Sequence, residues 1–316
     1  LKEEFTPGHV RKIWFWLAPG VVLVPALAAL GAVPFGSFIP LPDAARRWLG
    51  GVGPDRIKLV VADIDAGAVF ILAVAALGVY GIMLAGYASR SKYPLLGGLR
   101  SAAQLVSYEV AMGLALVPVL MAAGTMNLGD IVRWQAARGW SVFPLAMQDW
   151  HLNALAWLLW IPMLISFLIF VVAVFAETNR LPFDFPECEQ ELVGGYHTEY
   201  SSMRFALFFL GEYAAMIVMS CLVVTLFLGG WHFPFVRVDA AGLGFGRAMA
   251  LGVLHIGTLL VKMAAFLGLF IWIRWTLPRF RYDQLMRLGW KVFLPLAVAN
   301  ILITAVLLAL GGRWHQ

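Results

Sequence analysis

Charge is what this sequence has least of. Only 13% of its 316 residues are Asp, Glu, Lys or Arg, against roughly a quarter in an ordinary soluble domain. With 61% of the chain hydrophobic and a mean hydropathy of +0.83, a water-facing surface of the required size cannot be built. A soluble globular fold is therefore excluded. Cysteine is nearly absent. Cys188 lies in a polar loop and Cys221 in an apolar run, with no metal or redox spacing, so neither a disulfide nor a metal site is expected. No low-complexity tract, no repeat of roughly 20–50 residues and no signal peptide is evident. The formal charge of +5 and pI near 9.4 do not point to nucleic acid. The basic residues sit at the ends of apolar runs, where Lys and Arg anchor spanning helices.

What is present in quantity is long apolar runs, each of about twenty residues, the length that crosses a bilayer core of roughly 30 Å. They fall at about Trp14–Val33, Gly67–Tyr87, Ala102–Ala123, Ala154–Ala176, Phe205–Leu228, Met249–Ile273 and Val292–Leu310. Hydrocarbon satisfies no backbone polar group, so these must be helices. The fold class is an all-α, polytopic transmembrane helical bundle, and residues 1–316 form one membrane domain. Pro19, Pro25, Pro118, Pro162 and Pro295 lie inside spans, where bends are expected. Seven spans place the two ends on opposite faces. Thirteen Lys and Arg fall on the face of residue 1 and nine on the other, with Lys262 inside a span. The short basic loops Arg90–Arg100 and Arg274–Lys291 lie on the first face, which is expected to be cytoplasmic. Trp and Tyr near span ends form an aromatic belt.

Polar residues at membrane depth carry the chemical information, because each is costly unless paired or functional. Glu109 lies in the third span, Glu212 in the fifth and Lys262 in the sixth; Asp63 and Asp65 precede the second, and Glu177 closes the fourth. Any one of them alone is as readily a structural hydrogen-bonding group. Glu109, Glu177 and Glu212 together favour a proton or ion path.

The loop 177–203 sharpens this. It holds Asp184, Glu187, Glu189, Glu191 and Glu199 beside Arg180, on a face expected to be basic. One account is a solvated acidic helix starting at Pro186 and ending at Gly194 and Gly195. The interleaved Leu181, Phe183, Phe185, Leu192 and Val193 favour a segment folded back on the bundle. Packed together, such carboxylates cannot all ionise freely and titrate as a coupled set. Arg180 could hold one end ionised or face an anionic ligand.

These residues also carry a resemblance. The stretch ETNRLPFDFPECE from Glu177 and the stretch His197–Tyr213 resemble the H subunit of bacterial NADH:quinone oxidoreductase, respiratory complex I. Ser91–Glu109 and Trp272–Met286, followed by Trp290 and Lys291, are similar to the same family, in the same order. The resemblance implies a subunit of about eight helices, joining the hydrophilic redox arm to the proton-pumping arm and partnering the other complex I subunits. It implies residence in the bacterial cytoplasmic (inner) membrane, with the acidic loop on the cytoplasmic side. It implies a quinone, ubiquinone or menaquinone, as substrate, no covalently bound cofactor, and NADH, FMN and iron–sulfur clusters in partner subunits. Carried across, Glu177, Glu187, Glu189, Glu191 and Glu199 match an acidic funnel, Glu109 and Glu212 its continuation, and Arg180, Asp184 and Phe185 the quinone cavity.

The family begins with a further transmembrane helix and an amphipathic segment ending in a Lys-Glu pair. Only that ending is expected here, at Lys2 and Glu3, leaving seven spans of eight. Two rival readings are an energy-converting hydrogenase or formate hydrogenlyase subunit and a stand-alone proton-coupled transporter. The full ETNR motif favours complex I over the first. The second would usually show paired repeats with broken helices, and none is visible.

Overall fold

The computed structural model describes residues 5–40, 56–142, 154–186, 193–233 and 245–311. Seven of its helices are long and apolar enough to cross a membrane. In chain order the elements are α1 (Lys12–Leu30), β1 (Gly36–Pro40), β2 (Arg56–Leu59), α2 (Gly67–Ala88), α3 (Lys92–Ala123), α4 (Leu128–Arg138) and α5 (Ala154–Glu177). A 3-10 turn at Gly195–His197 leads to α6 (Ser202–Phe227), α7 (Phe245–Thr276) and α8 (Tyr282–Arg287). A π-helical turn, Leu288–Phe293, then runs without a break into α9 (Leu294–Gly311).

Burial separates the inner helices from the outer ones. More than half of the apolar window of α3 and of α6 is buried, but only 17% of α7's and 22% of the last span's. The buried pair forms the axis, and the outer pair turns most of its surface away from the protein. Helix α3 begins at Lys92, ten residues before the apolar run at Ala102. Pro94 sits in its first turn, where a missing N–H has no partner to lose, and at 32 residues α3 is about 48 Å long.

Small residues let α1 lie between α2 and α6. A Cβ on Gly81 would stand 2.9 Å from the Val22 backbone nitrogen, and one on Gly211 would stand 2.8 Å from Val22 Cγ1. Between membrane helices, where apolar side chains have no preference for one another over lipid, such close backbone approach is what binds them. A polar clasp holds α9 to α5: Asn300 Nδ2 donates to the Pro162 carbonyl (2.9 Å) and to Ser166 Oγ (2.8 Å).

The face opposite residue 5 is closed by elements with no apolar run of their own. Strands β1 and β2 pair antiparallel, Phe38 opposite Lys58, and lie on α7, with Ser37 Oγ 3.1 Å from His255 Nδ1. Helix α4 is capped by Asn127, whose Oδ1 accepts from Gly129 N (2.8 Å) and Asp130 N (3.2 Å). Buried Gln135 then closes the end of α6: its Nε2 donates to the Thr225 and Leu226 carbonyls, and its Oε1 accepts from Gly229 N. Lys262 completes that closure, its ammonium donating to the carbonyls of Leu228 (2.7 Å), Gly230 (3.0 Å) and His232 (2.7 Å) above the Trp140 ring. A cation at a helix C-terminus is favourable, and here it uses all three of its donors.

Two outcomes follow from this packing. Gly81→Val puts a side chain against backbone that cannot yield, and is expected to lower stability in detergent by about 1–3 kcal/mol. Gly113→Ala, whose Cβ meets nothing within 4 Å, should leave the unfolding temperature unlowered, or raise it slightly through the higher helix propensity of Ala. The second outcome concerns Asp63, whose carboxyl is held below its ordinary 3.8 chiefly by Lys58, then by Asn127. A depressed pKa contributes stability that is whole at neutral pH and fades as pH falls through the lowered value. The deficit of Asp63→Asn against the parent should be constant from pH 5 to 8, roughly, and shrink only below about pH 4.

Candidate functional site

The site is built around the way α5 ends. After Glu177 the chain turns through Asn179 in the left-handed region (φ 49°). Asn179 N bonds to the Ala176 carbonyl and Arg180 N reaches back to the Phe175 carbonyl, both at 3.3 Å. This is a Schellman closure, and Asn is the side-chain-bearing residue that best tolerates its left-handed position. The closure turns Arg180 back towards the bundle and leaves Glu177, the last helical residue, 9% exposed.

Gln104 of α3 fastens this turn. Fully buried, it donates through Nε2 to the Ala176 carbonyl (2.8 Å) and the Phe183 carbonyl (3.0 Å), with Asn179 Oδ1 at 3.4 Å. One amide thus bridges the end of a spanning helix and the loop that follows it. A cis peptide at Leu181-Pro182 carries the chain on to Phe183. Phe183 lies between Tyr108 and Phe280 (ring centroids 6.1 and 5.6 Å). Asp184 pairs with Arg279 at 2.9 Å, and Phe185 meets the ring of Tyr282 edge-on.

The far side of the loop is seated just as firmly. Gly97 leaves room for it, since a Cβ there would stand 2.9 Å from Tyr196 N and 3.0 Å from the Pro186 carbonyl. Tyr196 is buried and donates its hydroxyl to Glu212 Oε1 at 2.8 Å. Arg180 NH2 stands 3.3 Å from Glu212 Oε2, with its guanidinium over the Tyr213 ring at 4.6 Å. Glu212, 7% exposed, is therefore held at both oxygens.

Glu177 and Glu212 line one pocket of about 60 Å³ between α1, α2, α5 and α6, with Asn179 beside them and apolar Val22, Ala26 and Val79 opposite. A pocket with polar groups and this volume can hold water. Glu109 of α3 lies within electrostatic reach of Glu177. Each of these two has one buried carboxylate oxygen without a hydrogen bond among the described residues. The cluster can pair, hold and exchange protons at a place where bulk water is scarce.

The structure brings Glu109, Glu177, Arg180 and Glu212 together, with Asp184 and Phe185 on the same turn. Glu199 stands elsewhere on the loop, 3.9 Å from His9. Asp63 and Lys262 belong to the opposite closure, and Asp65 is exposed; along α6, Glu212 and Phe227 are about 22 Å apart. Glu187, Glu189 and Glu191 lie outside the described residues. Two members of the site were not picked out from the sequence, Gln104 and Tyr196. Gln104 carried one signal, an amide among the apolar residues of a spanning helix. Among the described residues no group of three or more His, Cys, Asp or Glu could hold a metal.

Comparison with known proteins decides the lineage. The NADH dehydrogenase family model matches residues 1–305. The chain belongs to that family. The NADH-quinone oxidoreductase H subunit of Protochlamydia amoebophila is 45% identical over 304 residues, covering 96% of this chain and 79% of the relative. The corresponding H 1 subunit of Cytophaga hutchinsonii is 39% identical over 310 residues (98% and 81%). The H 2 subunit of Koribacter versatilis is 43% identical over 312 residues (98% and 81%). The chain is thus a multi-pass membrane subunit of an oxidoreductase complex, and it works with the other subunits of that complex.

The Gln104 bridge yields a test within this family. Gln104→Leu strips a donor from two buried carbonyls, which is expected to cost about 1–3 kcal/mol. Thermal unfolding of the purified subunit or complex should show the loss, and limited proteolysis should cut sooner within 177–200. Unchanged melting and cleavage would mean that the bridge does not hold the turn.

Proposed function

We propose that this chain, in a bacterial inner membrane, forms the membrane-side wall of a quinone chamber and the first part of a carboxylate path into the bilayer. The observation that carries the reading is the shared pocket of Glu177 and Glu212, with Glu109 near the first and Arg180 and Tyr196 fixing the second. Arg180, Asp184 and Phe185 face the chamber on the turn that follows α5, and the loop 177–203 stands on the cytoplasmic side. On this reading Glu199 belongs to the same path, and Glu187, Glu189 and Glu191 are assigned to it by sequence alone.

The chemistry follows from the low dielectric. Quinone receives electrons from a partner subunit, and each reduction creates negative charge and a demand for protons. A buried carboxylate set answers such a change strongly, because neighbouring charges interact far more in a dry site than in water. Glu212, tied to Arg180, is the anchored member. Glu177 and Glu109, each with an unbonded oxygen, are the members free to gain or lose a proton or a water contact. A change at the chamber is passed inward by their redistribution. The relatives named above are quinone oxidoreductase subunits, which supports quinone over a hydrogenase partner.

Glu109→Gln together with Glu177→Gln, in the assembled complex, is expected to lower quinone-linked NADH oxidation and the coupled proton pumping by at least about tenfold. NADH oxidation by ferricyanide, which bypasses quinone, should be unchanged. Glu187→Gln with Glu191→Gln tests the outer part of the path in the same assays. Full pumping in both double variants would overturn the reading.

A further inference from the structure

Away from the carboxylate cluster, the outer surface of α1, α2 and α3 carries an apolar groove of about 550 Å³. Trp14 and Leu17 of α1 form one wall, Tyr80 and Met83 of α2 the floor, and Leu95 and Leu99 of α3 the other wall. All six side chains are exposed. They recur at spacings of three and four, so the groove follows the helix axes for about 10 Å.

The end of this groove nearest residue 5 is cationic. Arg11 donates to the Tyr87 hydroxyl, which also lines the groove, and its guanidinium lies 4.5 Å from the centre of that ring. Arg11 N bonds to the Ala88 carbonyl at 3.0 Å, so the start of α1 is fastened to the end of α2. That bond sets the start of α1, with exposed Arg11 and Lys12, beside the end of α2, which exposed Arg90 and Lys92 follow directly in the chain before α3 enters the groove at Leu95.

We propose that this groove binds an anionic phospholipid, an acyl chain lying along α1, α2 and α3 and the phosphate held among Arg11, Lys12, Arg90 and Lys92. Basic residues clustered at the end of an intramembrane apolar groove are the chemistry that selects an anionic headgroup. An apolar partner helix or a quinone tail would fill the apolar part and offer the four cations no anionic counter-charge. A neutral lipid would do the same.

The test uses the complete complex in nanodiscs doped with phosphatidylglycerol or, separately, phosphatidylcholine, each carrying a diazirine on its acyl chain. After irradiation, peptides bearing adducts at Leu17, Met83 or Leu99 are quantified against total labelling of the chain. Phosphatidylglycerol should label the groove several-fold more than phosphatidylcholine. Lys12→Gln, Arg90→Gln and Lys92→Gln should each lower phosphatidylglycerol labelling, by up to about fivefold, the triple variant should bring it to the phosphatidylcholine level, and all should leave phosphatidylcholine labelling unchanged. Leu99→Trp, which fills the groove and keeps the charges, should suppress labelling by both lipids. Equal labelling of the native complex by the two lipids would overturn the proposal. So would an unlabelled groove in the native complex, which would assign it to a partner subunit or a quinone tail.

Discussion

A carboxylate inside a membrane helix must be paired, and the pairing of Glu212 is the constraint that arranges the rest of this molecule. Glu212 lies ten residues into α6, one of the two most buried helices. Left alone there it would carry the full penalty of a desolvated charge. Arg180 and Tyr196 both reach it, from opposite sides of one loop. For Arg180 to do so, α5 has to stop at Glu177 and turn back at once, which requires a left-handed residue at 179. For Tyr196 to do so, the loop has to lie against α3, which requires no side chain at 97. Gln104 holds the turn in place from beneath. Motif residues that look like a row of independent functional groups are in large part the geometry by which one ionised group is tolerated.

The bundle is consequently polar at both ends, in different ways. At the end bearing residue 5, Glu109 and Glu177 each keep an oxygen without a hydrogen bond among the described residues. At the other end Lys262 is matched to three carbonyls, Gln135 to four backbone groups, and Asp63 to Lys58 and Asn127. A matched end is rigid, and an under-matched end can change its protonation. That contrast, more than the number of charges, separates Lys262 from Glu177 although both are ionisable residues in spanning helices.

The spans and the carboxylates were readable from the sequence because each violates a strong rule. A run of twenty apolar residues has no other stable place, and a Glu within one must be paired or functional. The hairpin of β1 and β2 was not readable. Its strands are five and four residues long, one ends in Pro40, and they are far apart in sequence. Helix α4 left a fair signal, a cap at Asn127, Asp130 in the first turn and Gly139 after Arg138, but its apolar face is narrow. Gln104 and Tyr196 are ordinary residues until their partners are known, and those partners lie 72 and 16 residues away. The start of α3 at Lys92 has the same cause, since what keeps its first ten residues helical is contact with α2 and the loop and not their apolarity.

The π-helical turn at Leu288–Phe293 sets the azimuth of the last span. A π turn holds one more residue than an α turn, so everything after it is rotated relative to an uninterrupted helix. Upstream of it, Tyr108 is bonded to the Leu285 carbonyl, and Trp290 within it donates to Ser107. Downstream, Asn300 faces Pro162 and Ser166 only because of that extra residue. A single-residue deletion within 288–293 would turn α9 by about 100° and swing Asn300 off its partners, leaving a bare amide towards lipid. Chain length in this short stretch is therefore under a phase constraint, whatever the residues that fill it.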